Sequence, residues 1–175
     1  MIKIKSKWIK IVLLVLVVAA AAAAKPFYDG YSEYRKNAVP VLEYHSVGGS
    51  DEWPAEVIIK TEVFEKQLQY LHNNGYSMLS MEQMIDGFKN GKDMGKAVVL
   101  TFDDGYMDNY TNVFPLLKKY NANASFFIVQ SKIGKPNYMG HNEITELIRA
   151  GNDLASHTIN HNILTDIDPK YFAWE

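Results

Sequence analysis

The chain has 175 residues, no cysteine, 18 basic and 20 acidic side chains, and a net charge of −2. That length suffices for one domain with its own core. The missing cysteines exclude a disulfide framework, and the lack of a basic run or an aromatic-laced basic stripe excludes a nucleic-acid footprint.

The charge is uneven. Residues 1–24 hold Lys3, Lys5, Lys7 and Lys10 and no acid, so taking four from 18 leaves 14 basic against 20 acidic residues, a net of −6 for the remainder. Met1–Lys10 reads as a basic lead-in, and Ile11–Ala24 is an uninterrupted apolar run ending in small residues. This pattern predicts either a cleaved export signal or an N-terminal membrane anchor over residues 1–24. Counted from Trp8, the run nears the lower limit of about 17 residues for a span. Both readings keep the lysines cytoplasmic and deliver the body of the chain to the outside or the cell envelope. Residues 25–38 are polar and aromatic without a period and read as a tether.

From Val39 the pattern alternates strand and helix. Val41–His45 is a strand, and Gly48-Gly49-Ser50-Asp51 opens a loop. Thr61 is expected to cap a helix whose apolar face is Phe64, Leu68 and Leu71. Asn73-Asn74-Gly75 stops it, and Tyr76–Leu79 is the second strand. Ser80-Met81-Glu82-Gln83 fits a capping box for a helix burying Met84, Ile85 and Phe88 and ending at Gly91. Ala97–Phe102 is the third strand. Val113, Leu116, Leu117 and Tyr120 mark a helix with Pro115 in its first turns. Ala124–Val129 is the fourth strand. Ile144, Leu147 and Ile148 mark a helix closed by Gly151, and Asp153–Ser156 is the fifth strand. Asp168-Pro169 is expected to start one more helix. Alternating units with short apolar strands predict an α/β fold on a mostly parallel sheet, with every strand's C-terminal end on one side.

Two stretches at such ends carry chemistry. Thr101-Phe102-Asp103-Asp104-Gly105 ends the third strand in adjacent carboxylates and a glycine for the bend. Like charges so close repel unless a cation neutralises them. Ser156-His157-Thr158-Ile159-Asn160-His161 sets two imidazoles four residues apart, one face of a helical turn. One carboxylate and two histidines make three ligands with a position left open, the pattern of a catalytic metal site. Neutral imidazoles are required, so binding weakens below about pH 6.5.

Together TFDDG and SHTxxH, with Tyr44-His45-Ser46-Val47 and Ala150–Ala155 as flanks, resemble the polysaccharide deacetylases (the NodB homology domain, carbohydrate esterase family 4) from about Val39 onward. The resemblance implies a distorted (β/α) barrel of about seven strands, of which five are counted. It implies hydrolysis of N-acetyl, or O-acetyl, groups from an acetylated polysaccharide such as peptidoglycan, poly-N-acetylglucosamine or a chitin-like polymer. Asp104, His157 and His161 would hold a divalent metal, zinc first, with cobalt, nickel or iron as other choices. Asp103 would be the general base. His45 and Tyr106 are assigned to the substrate pocket; Tyr138 is a further aromatic candidate. His72 and His141 read as surface or helix-end residues, Asp166 and Asp168 as loop and cap.

The family's later histidine, its general acid, and its arginine–proline motif have no counterpart: no histidine follows His161 and no arginine follows Arg149. The expectation is a partial domain over 39–175, truncated or completed by another chain. The alternative function is a catalytically inactive, membrane-anchored protein that binds glycan or a partner.

Overall fold

The computed structural model describes residues 15–29, 38–49 and 54–174. The chain divides after Ala38 into two compact units. The basic lead-in, the start of the apolar run and most of the expected tether lie outside the described residues. In the first unit residues 15–29 form a helix, α1. It runs past Ala24 into the expected tether, where Lys25 and Asp29 pair at 2.7 Å across one turn. Among the described residues no helix is long and apolar enough to cross a membrane.

The second unit is built on β5, Ala97–Phe102, all six residues of which are buried. A strand buried on both faces needs cover on both, as in parallel α/β sheets. β1 (Val41–Tyr44) pairs parallel with β5, as does β4 (Ser77–Leu79). β6 (Ser125–Ile128) pairs parallel with β5, and β7 (Asp153–Ser156) with β6. These are the five strands read from the sequence. Among the described residues β1 pairs only with β5 and β7 only with β6, so the sheet is open and the expected barrel is not reached. A separate two-stranded sheet, β2 (Ser46–Val47) on β3 (Ile58–Ile59), was not foreseen; two-residue strands carry no period to read.

Aromatic rings fill the core beneath the strand ends. Phe102 stacks on Tyr44 at 5.3 Å and on Phe126 at 5.2 Å, linking β1, β5 and β6. Phe64 meets Tyr44 and Phe102 edge-on, at 5.1 and 5.7 Å. It comes from α2 (Thr61–Asn73), which buries Phe64, Leu68 and Leu71 as its spacing predicts. Thr61 is not the cap: Lys60 holds that position and no side chain caps it.

α3 (Met81–Lys89) has the expected capping box, Gln83 N–H donating to Ser80 Oγ and Ser80 N–H to Gln83 Oε1. Its buried face differs from the expectation. Ile85 and Phe88 are 40% and 44% exposed, and the buried residue is Gly87. The chain returning through Met94 lies so close that a Cβ at Gly87 would sit 2.4 Å from its sulfur; that approach selects the glycine face.

A π turn, Asn109–Val113, precedes α4 (Phe114–Lys119). α5 (His141–Arg149) buries Ile144 and Leu147 but leaves Ile148 48% exposed. The helix expected at Asp168 is a 3₁₀ turn, Pro169–Trp174, with Lys170 N–H donating to Asp168 Oδ1.

Candidate metal centre

The site stands where β1, β5 and β7 end. Asp103 follows β5 directly, and its N–H donates to Tyr44 O at 2.9 Å, extending the β1–β5 ladder by one residue. The chain then turns through two left-handed residues, Asp104 (φ 70°) and Gly105 (φ 79°). The bend therefore takes a non-glycine residue as well as the glycine, a costly backbone that needs outside support. Ile128 and Met139 give it: the Ile128 side chain packs on Gly105, and Met139 N–H donates to Gly105 O at 3.0 Å. The turn splits the pair, leaving Asp103 half-buried and Asp104 7% exposed.

The histidines arrive from β7. His157 N–H donates to Ile128 O at 2.9 Å. The expected helical turn from His157 to His161 is absent. Thr158 and His161 are both left-handed, at φ 66° and 62°. Side-chain acceptors close the loop instead: Thr158 N–H donates to Ser156 Oγ and His161 N–H to Thr158 Oγ1. Gln130 and Ser131 N–H donate to Thr158 O and Ile159 O. The outcome the helix was meant to supply survives, with the imidazoles 4.8 Å apart.

Asp104 Oδ1 lies 3.3 Å from His161 Nε2 and 3.6 Å from His157 Nε2. It is buried and accepts no hydrogen bond. Ligands at about 2.1 Å from a tetrahedral cation stand about 3.4 Å apart. One carboxylate oxygen and two imidazole nitrogens, all within 4.8 Å, thus form a donor set that fits a divalent cation.

Tyr106, expected to face the sugar, is 7% exposed. Its hydroxyl hydrogen-bonds Asp104, and burial plus that carboxylate push its pKa well up. Its ring packs on Tyr138 at 5.3 Å, and burial, then Asp104, raise the Tyr138 pKa too.

Asp103 stands between this trio and a second group. Its Oδ2 is 3.9 Å from His157 Nε2, and it also lies with Glu43 and His45, each offering one donor atom within 4.8 Å of the others. Burial raises the Asp103 pKa, His157 opposes the rise, and Glu43 adds to it. His45 is half-buried, with Nε2 3.9 Å from Glu43 Oε1. Glu43 was missed in the sequence, although two residues apart on one strand share a face. His72 and His141 are exposed, as expected, and among the described residues neither joins a group of metal-capable donors.

The polysaccharide deacetylase family profile matches residues 90–175. A Bacillus subtilis (strain 168) protein named as a polysaccharide deacetylase, YxkH, is 33% identical over 133 residues, 75% of this chain and 46% of that protein. A poly-beta-1,6-N-acetyl-D-glucosamine N-deacetylase of Staphylococcus epidermidis is 30% identical over 145 residues, 72% of this chain and 50% of that protein. The solved structure of the Streptococcus pyogenes deacetylase PplD in complex with acetate superposes with TM-score 0.68 at 31% identity, covering 75% of this chain and 61% of that one. The chain thus spans about half the length of the relatives it matches.

Proposed function

We propose a metal-assisted deacetylation for this chain, which belongs to the polysaccharide deacetylase family. The substrate class is an N-acetylated polysaccharide. Relatives named for poly-beta-1,6-N-acetyl-D-glucosamine point to a β-linked N-acetylglucosamine polymer. The basic and apolar start of the chain suits work in the cell envelope or outside it.

Asp104, His157 and His161 would hold the divalent metal; zinc fits this donor set, and so do cobalt, nickel and iron. A cation there would polarise the acetyl carbonyl and lower the pKa of a nearby water. Asp103 takes the proton from the attacking water. Its raised pKa brings it nearer the range where a carboxylate is an effective base. Tyr106 steadies Asp104 from behind and leaves Oδ1 for the cation.

Breaking an amide also needs a proton for the departing amine. His45 reaches the same mouth from β1, close to Asp103 and to Glu43. His45 supplies that proton. A proton donor placed beside the base favours deacetylation over the inactive, glycan-binding alternative.

The carrying observation is the buried Asp104 Oδ1, without a hydrogen-bond donor and facing two imidazole nitrogens. Zinc titration by calorimetry tests it: Asp104→Ala and His157→Ala abolish binding, and unchanged binding would sink the site. Acetate release from acetylated chito-oligomers tests the chemistry. Turnover above a chelated control supports the enzyme; none from zinc-loaded protein would overturn it.

A further inference from the structure

Immediately after the aspartate turn, polar side chains at the start of the π turn reach across to β2. Asp108 Oδ2 accepts a hydrogen bond from Ser46 Oγ at 2.7 Å, and Asp108 Oδ1 accepts one from Val47 N–H at 3.0 Å. Asn109 Nδ2 donates to His45 O at 2.7 Å and to Asp108 Oδ1 at 3.0 Å. Asn112 Nδ2 donates to Val47 O at 2.7 Å. Three side chains from one turn thus grip the backbone from His45 to Val47.

Asn109 is the informative member. It is fully buried, and its Oδ1 has no hydrogen-bond partner. Both partners of Nδ2 are acceptors, so the amide cannot flip to satisfy the oxygen without losing them. An apolar side chain of similar shape would avoid an orphaned buried oxygen altogether. The local backbone is unusual as well: π turns are rare and recur at functional sites. A costly side chain on a costly turn, aimed at the backbone of one histidine, is the signature of positioning.

The geometry points to Asp108 and Asn109 as positioning residues for His45, tying the proton donor to the same short segment that carries the base Asp103 and the ligand Asp104. The inference rests on the reading of His45 as the acid. It adds that the separation of acid and base is set by a side-chain clamp from residues that touch neither substrate nor metal. The segment from Asp103 to Asn109 thus holds the base, one metal ligand and both positioning residues.

The test uses full-length zinc-loaded protein with Asn109→Leu and the milder Ser46→Ala. Zinc affinity stays at the wild-type value in both, because Asp104, His157 and His161 are untouched. Acetate release by Asn109→Leu falls about tenfold or more in kcat with little change in KM, as for an interaction that matters in the transition state. The limb of the pH–rate profile that His45→Ala removes shifts in Asn109→Leu. Adding Asn109→Leu to His45→Ala costs nothing further, since residues acting through one another are non-additive. A folded Asn109→Leu with wild-type kcat and pH profile would overturn the clamp, as would full additivity with His45→Ala. Should Asn109→Leu fail to melt cooperatively, Ser46→Ala carries the test through the His45 ring resonance in NMR. That signal shifts while those of His157 and His161 stay; an unmoved His45 signal refutes the proposal. Absence of acetate release from wild type would sink the deacetylase reading alone, because the ring resonance still decides the clamp.

Discussion

Replacing Gly105 with alanine joins backbone, packing and site in one measurement. The residue sits at φ +79°, and an added Cβ would meet Ile128 Cδ1 at 2.8 Å, Cγ2 at 3.4 Å and Cα at 3.7 Å. The left-handed backbone costs a non-glycine residue about 1–2 kcal/mol. The overpacking adds about 1–3 kcal/mol, toward the low end because the nearest atom is the tip of a side chain. Gly105→Ala should therefore destabilise the protein by about 3 kcal/mol. Gly91 is the control: at φ +65° with nothing within 4 Å of a Cβ, it should lose only the backbone share, about 1–2 kcal/mol. Urea unfolding of metal-free protein reads both. Ile128→Val removes Cδ1 and should restore part of the loss in the double variant. Zinc affinity should fall about tenfold in Gly105→Ala, the usual scale for disturbing a ligand's support. If Gly105→Ala costs no more than Gly91→Ala, or Ile128→Val gives no recovery, the close approach is not what holds the turn.

Tyr106→Phe keeps the buried ring and removes the hydroxyl on Asp104; calorimetry should show zinc affinity down about tenfold or more, with the melting temperature little changed. Asp103→Asn should lower acetate release by about 10²–10⁴-fold while zinc still binds, and a loss of binding instead would move Asp103 into the ligand set. Phe64→Ala opens a void between Tyr44 and Phe102 and should cost about 3–5 kcal/mol in urea unfolding. Burial holds the Asp108 carboxyl above its usual pKa, against three hydrogen bonds that pull it down. A raised folded-state value gives stability that is complete below the unfolded pKa, about 3.9, and lost as pH rises through the folded one. Stability measured at a series of pH values should show that decline in wild type and lose it in Asp108→Asn; parallel curves would refute it.

Much of this was legible in the residues. The five strands of the main sheet were readable because short extended stretches, most apolar in β5, alternate with helices closed by turn residues, and the capping box at Ser80 because it is a local exchange of two hydrogen bonds. The convergence of Asp104, His157 and His161 followed from strand ends on one side of a parallel sheet. What escaped depends on side-chain contacts that no hydrophobic period records. Whether α3 buries Phe88 or Gly87 is decided by Met94 folding back on it. Whether His157 and His161 share a helix is decided by the Thr158 and Ser156 hydroxyls. The roles of Glu43 and Asn109 appear only once β1 lies beside β5, since neither residue belongs to a motif.

The order of the strands explains how a site of such different parts holds together. His45 and Asp103 leave neighbouring strands, β1 and β5, joined to the last residue by the Asp103 N–H to Tyr44 O bond. His157 and His161 follow β7, which does not pair with β5; β6 lies between. β6 contributes no donor atom to the metal trio, yet Ile128 at its end touches both sides. Its side chain packs on Gly105 next to Asp104, and its carbonyl accepts the His157 N–H. The gap that a cation would bridge is thus set by the width of one strand and the bulk of one isoleucine. That is why residue 128 and its glycine partner, together with Tyr106 and ahead of the exposed rim, should govern metal affinity from outside the ligands.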